Sequence, residues 1–148
     1  MIKLLKYYWR GKIQMKFEWY SPTTGAPIVS LAEYGIIFNY GAIEIMDKPE
    51  YVKLGYDEEN NIIGVTPCDK NEENKILFYA KMKNNYIRLA NKGFIRFLKS
   101  KINEDIEIEN KAKRYIAKWN KTDKILYVDL NSQIGADKKI NASKLDNL

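Results

Sequence analysis

Two hydrophobic periods organise this chain. Residues 12–20 (KIQMKFEWY) alternate strictly, with Ile13, Met15, Phe17 and Trp19 on one side and Gln14, Lys16 and Glu18 on the other. A period of two with aromatic content predicts a half-buried strand. Arg10-Gly11 before it predicts a tight hairpin with residues 7–9. SPTTGAP (21–27) is turn chemistry throughout. Residues 51–65 and 115–128 each read as strand, polar turn, strand, and the run Ile76–Ala80, bounded by turn signals, reads as a buried strand. The helical period appears over 93–102 (GFIRFLKSKI): Phe94, Ile95, Leu98 and Ile102 share one face, Arg96 and Lys99 the other, with Lys92 one turn earlier. Asn91 is placed to cap that helix. Residues 131–148 carry neither aromatics nor periodicity and predict a flexible tail. The expectation is an α+β fold, mostly antiparallel strands and hairpins with one or two short helices, in a single compact domain over residues 1–130.

One order of elements occurs twice. At a spacing of 58 residues, Leu31, Ala32, Gly35 and Ile37 meet Leu89, Ala90, Gly93 and Ile95. Tyr51 then meets Tyr115. With one residue dropped in the turn, Ile62 meets Ile125 and Val65 meets Val128. Units 27–67 and 85–130 are each too small to bury a core alone, so a duplication implies an internal pseudo-dimer of two packed β-α-ββ units. The competing reading is an α+β chain with two similar hairpins.

The unit 30–67 (SLAEYGIIFNYGAIEIMDKPEYVKLGYDEENNIIGVTP) resembles one half of an AbrB-like swapped-hairpin domain. In that family a strand leads through a Gly into a short strand and helix, followed by a β-hairpin with a polar turn, and two copies interdigitate. The resemblance implies a DNA-binding regulator. The run as a whole is also similar to small proteins of Firmicute phages and mobile elements. Two departures stand out: Asn39 occupies a position where the family commonly has Pro, and the first helix region carries Glu33, Glu44 and Asp47 against Lys48, where the family places cations.

Charge narrows where a site could be. The net charge is +6 over 148 residues, with 25 Lys and Arg against 19 Asp and Glu. The total says little, because Lys far outnumbers Arg as AT-rich coding would produce. Its distribution says more. Residues 30–67 hold seven acids against Lys48 and Lys53, whereas residues 75–101 hold Lys75, Lys81, Lys83, Arg88, Lys92, Arg96, Lys99 and Lys101 with no acid. Such a block concentrates positive potential and attracts phosphate. Arg88, Lys92, Arg96, Lys99 and Lys101 are therefore the candidate anion or nucleic-acid ligands, the arginines offering a fork of donors that matches phosphate. Tyr86, beside Asn84-Asn85 and near Arg88, is the candidate for stacking on a base. Against this stands the plain alternative of a solvated helix face.

Catalytic chemistry finds little support. The chain has no His, which removes the usual general base and the commonest metal ligand. Its single cysteine, Cys68, has no His partner and can form no internal disulfide. No phosphate-cradling Gly motif occurs, and the run from Asp57 to Asn61 lacks calcium-loop spacing and reads as a hairpin turn. No cofactor or metal is expected. With no apolar run of membrane-spanning length, the expected location is cytoplasmic and no membrane partner is expected. The expected function is non-enzymatic binding of a phosphate-rich ligand, DNA above all. The alternative is a phage-type anti-defence inhibitor that sequesters a nucleotide or blocks a host defence protein. The oligomeric state, monomer or homodimer, is left open.

Overall fold

The computed structural model describes residues 15–17, 19, 25–102 and 106–135. Nine strands form one antiparallel sheet: β1 (Ile28–Ala32), β2 (Gly35–Phe38), β3 (Tyr51–Asp57), β4 (Ile62–Cys68), β5 (Ile76–Leu77), β6 (Met82–Lys83), β7 (Tyr86–Leu89), β8 (Lys113–Asn120) and β9 (Ile125–Gln133). Among the described residues, two helices, α1 (Tyr40–Ile45) and α2 (Lys92–Lys101), and a 3-10 turn (Tyr79–Lys81) join the sheet in an α+β fold. The spatial order is β5-β3-β4-β9-β8-β1-β2-β7-β6. Alternation along the strands sends Val29, Leu31, Ile36, Phe38, Ile63, Val65, Ile87, Leu89, Tyr115, Leu126 and Val128 into the core.

The sheet curls because the chain leaves it no choice. Eight inter-strand steps would hold the edges of a flat sheet about 38 Å apart. Yet edge strands β5 and β6 are joined by Phe78–Lys81, whose reach from Leu77 to Met82 is at most about 18 Å. The sheet therefore rolls into a half-barrel. Phe78 plugs the fold at this link, fully buried and edge-on to Phe38 with centroids 4.9 Å apart. Here the expectation of one buried strand over Ile76–Ala80 fails. The run has to turn from one sheet edge to the other, so it breaks into two-residue strands around the 3-10 turn and leaves Leu77 40% exposed.

Several local expectations hold. Asn91 caps α2, its Oδ1 accepting from the Phe94 N–H at 2.9 Å, and Phe94, Ile95 and Leu98 are buried beneath it. The run from Asp57 to Asn61 is a hairpin turn, with Asp57 accepting from Asn60. Hydrogen bonds to Asn60 pull the Asp57 carboxyl below the usual range. Of the predicted strand 12–20 and its hairpin, residues 1–14, 18 and 20 lie outside the described residues, and Met15, Phe17 and Trp19 are exposed rather than half-buried. Residues 131–133, placed by sequence in the tail, continue β9, and Ile134 N–H still bonds the Arg114 carbonyl at 2.7 Å. Residues 136–148 lie outside the described residues.

The two hairpins agree more closely than the sequence alignment allowed. Each loop holds four residues, 58–61 and 121–124. Each opens on an Asx side chain, Asp57 or Asn120, accepting from the backbone of Asn60 or Asp123. Each ends on a left-handed residue, Asn61 (φ 59°) or Lys124 (φ 56°). The omitted residue therefore does not lie in the turn. At a constant spacing of 63, inward Val52 corresponds to inward Tyr115, whereas Tyr51, matched to Tyr115 by identity, lies on the opposite face. Strands β4 and β9 pair around Gly64–Tyr127, which are themselves 63 apart. The preceding segments differ. Gly35 opens β2, while Gly93 sits inside α2.

Candidate anion-binding site

The basic block does not stay together. Lys75 lies with its ammonium 5.9 Å from the Tyr51 ring centroid at one sheet edge, and at the other Lys81 precedes β6 and Lys83 ends it. Lysines beside short edge strands discourage pairing with another chain, which is reason enough for these three. The remaining cations gather elsewhere. Lys92, Arg96 and Lys99 project from the exposed side of α2 into an open cleft of about 370 Å³, lined also by Glu33, Tyr34, Ile95 and Asn110. Helical periodicity puts these three on one stripe, since burying Phe94, Ile95 and Leu98 fixes which side faces outward.

Strand pairing completes the site. β2 pairs with β7, placing Ile37 beside Arg88. The β1–β2 turn then carries Tyr34 under Arg88, whose guanidinium carbon is 4.2 Å from the ring centroid. A stacked guanidinium keeps its in-plane donors free for a ligand while its position is held. Tyr34 thus has one side on Arg88 and also lines the cleft of Lys92, Arg96 and Lys99. The approach of β2 to β7 depends on Gly35. Its φ of +150° is one that L side chains rarely adopt, and an added Cβ would come 2.3 Å from the Leu89 carbonyl oxygen.

Four of the six residues predicted from sequence therefore converge, Arg88 by way of Tyr34. Lys101 does not; it ends α2 with its ammonium 5.7 Å from the Phe97 ring, where a cation suits the helix C-terminus. Tyr86 lies outside the cleft, on β7 two residues from Arg88 and on the same outward side, 53% exposed. Tyr34 and Asn110 escaped the sequence reading. Nothing local marks them, because only the β2–β7 pairing and the Glu33 N–H to Glu109 carbonyl bond (2.8 Å) bring their segments here. Glu33 is also a correction to the division into acidic and basic halves. It sits in the basic cleft, its carboxylate 3.2 Å from the Lys99 ammonium. Both groups are nearly half exposed, so the pair holds little energy and yields readily to a stronger anion.

The other chemistry is sparse. Among the described residues no group of three or more His, Cys, Asp or Glu could hold a metal ion. Burial pushes the Cys68 thiol up, with Glu72 adding to the effect, which opposes thiolate formation. Among the described residues no helix is long and apolar enough to cross a membrane. A second depression of about 360 Å³ lies on the outer sheet face around Gly55, Gly64, Thr66 and Ile125, with Lys53 its one cation. In comparisons with known proteins, no family model, curated protein or solved structure matches this chain.

Proposed function

We propose that this chain is a non-catalytic binding protein whose α2 cleft receives a phosphate-bearing ligand, with nucleic acid the ligand class that best fits. The carrying observation is the convergence of Lys92, Arg96 and Lys99 on one cleft whose Tyr34 wall holds Arg88, against the single carboxylate of Glu33. Arg88 and Arg96 provide directional, bidentate contacts; Lys92 and Lys99 provide mobile point charges. As phosphate enters, Lys99 exchanges Glu33 for the ligand. A DNA-binding role in the manner of AbrB-like regulators is one form of this proposal. Its first-unit order of strand, Gly, short strand, helix and hairpin is that of β1, Gly35, β2, α1 and β3–β4.

The scaffold, in the same proposal, is a duplicated hairpin unit forming an internal pseudo-dimer. Support comes from the matched four-residue turns and from the common spacing of 63 that relates both the facing of side chains and the β4–β9 register. The two units then diverged ahead of their hairpins, where α2 acquired the cations.

Fluorescence anisotropy with labelled 20-mer oligonucleotides, single-stranded and duplex, tests the reading at about 50 mM salt. Binding is expected for at least one form, weakened at least ten-fold by Arg88→Ala/Arg96→Ala together. Absence of binding by the wild-type chain to either form would overturn it.

A further inference from the structure

The basic surface extends beyond the helix. Strands β7, β2, β1 and β8 are consecutive neighbours, and register places Arg88 beside Ile37, Ile37 beside Ser30, and Ser30 beside Arg114. These four residues form one row across the outer face, with Arg88 and Arg114 exposed at its ends. Three inter-strand steps separate the ends by about 14 Å. Along β8, Ile116 and Lys118 follow Arg114 outward, and Lys118 pairs with Tyr127 of β9. Along β7, Tyr86 stands outward beside Arg88. None of the four strands contains an Asp or Glu: their sequences are YIRL, GIIF, IVSLA and KRYIAKWN. This acid-free sheet face was not visible in the charge count, because Arg114 lies in a segment of mixed charge, 103–118.

We propose that the ligand is a single-stranded nucleic acid that leaves the α2 cleft and crosses the outer face of β7–β2–β1–β8, with phosphates at Arg88 and Arg114 and a base on Tyr86. This rests on the phosphate-ligand reading above and narrows it. An unpaired strand offers free base faces to exposed aromatics, while cations follow its backbone. Duplex DNA hides those faces and is read by an element that enters its major groove. Helix α2 is poorly disposed for that, because its cations point into a cleft walled by Glu33, Tyr34 and Asn110.

The experiment is a competition on the full chain at about 50 mM salt. Labelled dT and rU 15-mers are the probes and an unlabelled 15-base-pair duplex is the competitor. The expected result is a single strand, DNA or RNA, bound at least ten-fold more tightly than duplex. Tyr86→Ala and Arg114→Ala should each weaken it by roughly ten-fold, and Tyr86→Phe should restore binding because the ring rather than the hydroxyl stacks. Both positions are exposed, so thermal melts of the three variants should match the wild type. Equal affinity for duplex would overturn the proposal. So would unchanged binding in Tyr86→Ala and Arg114→Ala while Arg96→Ala abolishes it, a result that leaves the cleft as the phosphate site. Failure of every oligonucleotide overturns both readings.

Discussion

Asn39 carries three structural duties in one side chain. Its Oδ1 accepts from Ile28 N–H and from Ala42 N–H, each at 2.9 Å, and its amide donates to the Ala26 carbonyl at 2.8 Å. Its own N–H continues the ladder to the Ile28 carbonyl at 3.1 Å, a bond that the Pro common in AbrB-like domains could not make. Asn39→Ala is expected to cost about 1–3 kcal/mol in urea unfolding, through a lost cap and unpaired backbone donors. A cost near zero would mean that water replaces the side chain. The paired glycines separate at this scale too. Gly35→Ala should destabilise by about 2 kcal/mol or more, since strained φ and a backbone clash act together. Gly93 has no such φ, and its added Cβ would meet Asn91 Oδ1 at 3.3 Å, so Gly93→Ala should stay within about 1 kcal/mol of the wild type. The thiol gives a pH-dependent case. Because burial raises the folded value of Cys68 above its unfolded one, the stability it adds is complete below about pH 8.5 and lost as pH rises through the folded value. Iodoacetamide at pH 8 should therefore modify the native chain more slowly than the urea-unfolded chain. Equal rates would contradict this assignment.

Among the elements, hairpins and the capped helix were the most legible from sequence. The strand, polar turn, strand reading of 51–65 and 115–128 located β3–β4 and β8–β9, and the i, i+3, i+4 spacing of Phe94, Ile95 and Leu98 located α2 to within one residue at each end. What sequence misjudged depended on distant contacts. Identity matched Tyr51 with Tyr115, but facing is set by pairing, and a shift of one residue moves a side chain to the other side of the sheet. Ile76–Ala80 looked like a strand because its apolar run is short, yet it must bridge two sheet edges. The turns provide an element-level test. Lys124 holds φ 56°, where its side chain is unfavourable and Gly is not. Lys124→Gly should raise stability by about 0.5–1 kcal/mol in thermal melts, because the Thr66 hydroxyl bonds only the backbone carbonyl at this position. A loss of stability would show that the Lys124 side chain itself holds the turn.

At the scale of the whole molecule, curling of the sheet decides which charges act together. The block 75–101 is continuous in sequence, but its first cations guard the two sheet edges and only its later ones meet at the cleft. Tyr34 and Glu33, from the acidic unit, complete that cleft through the β2–β7 pairing. Local patterns could name Arg88, Lys92, Arg96 and Lys99 but not the wall they face, because Glu33 and Tyr34 lie more than 50 residues earlier in the chain and Asn110 follows α2 in a segment without a periodic pattern. If these four cations bind phosphate together, affinity has to fall as salt rises. Oligonucleotide binding should be measured by anisotropy from about 50 to 200 mM salt, for the wild type and for Arg96→Ala. The expected log–log slope has a magnitude of about 3 and falls by about 1 in Arg96→Ala. A slope near zero, or one that Arg96→Ala leaves unchanged, would contradict joint phosphate binding by the four cations.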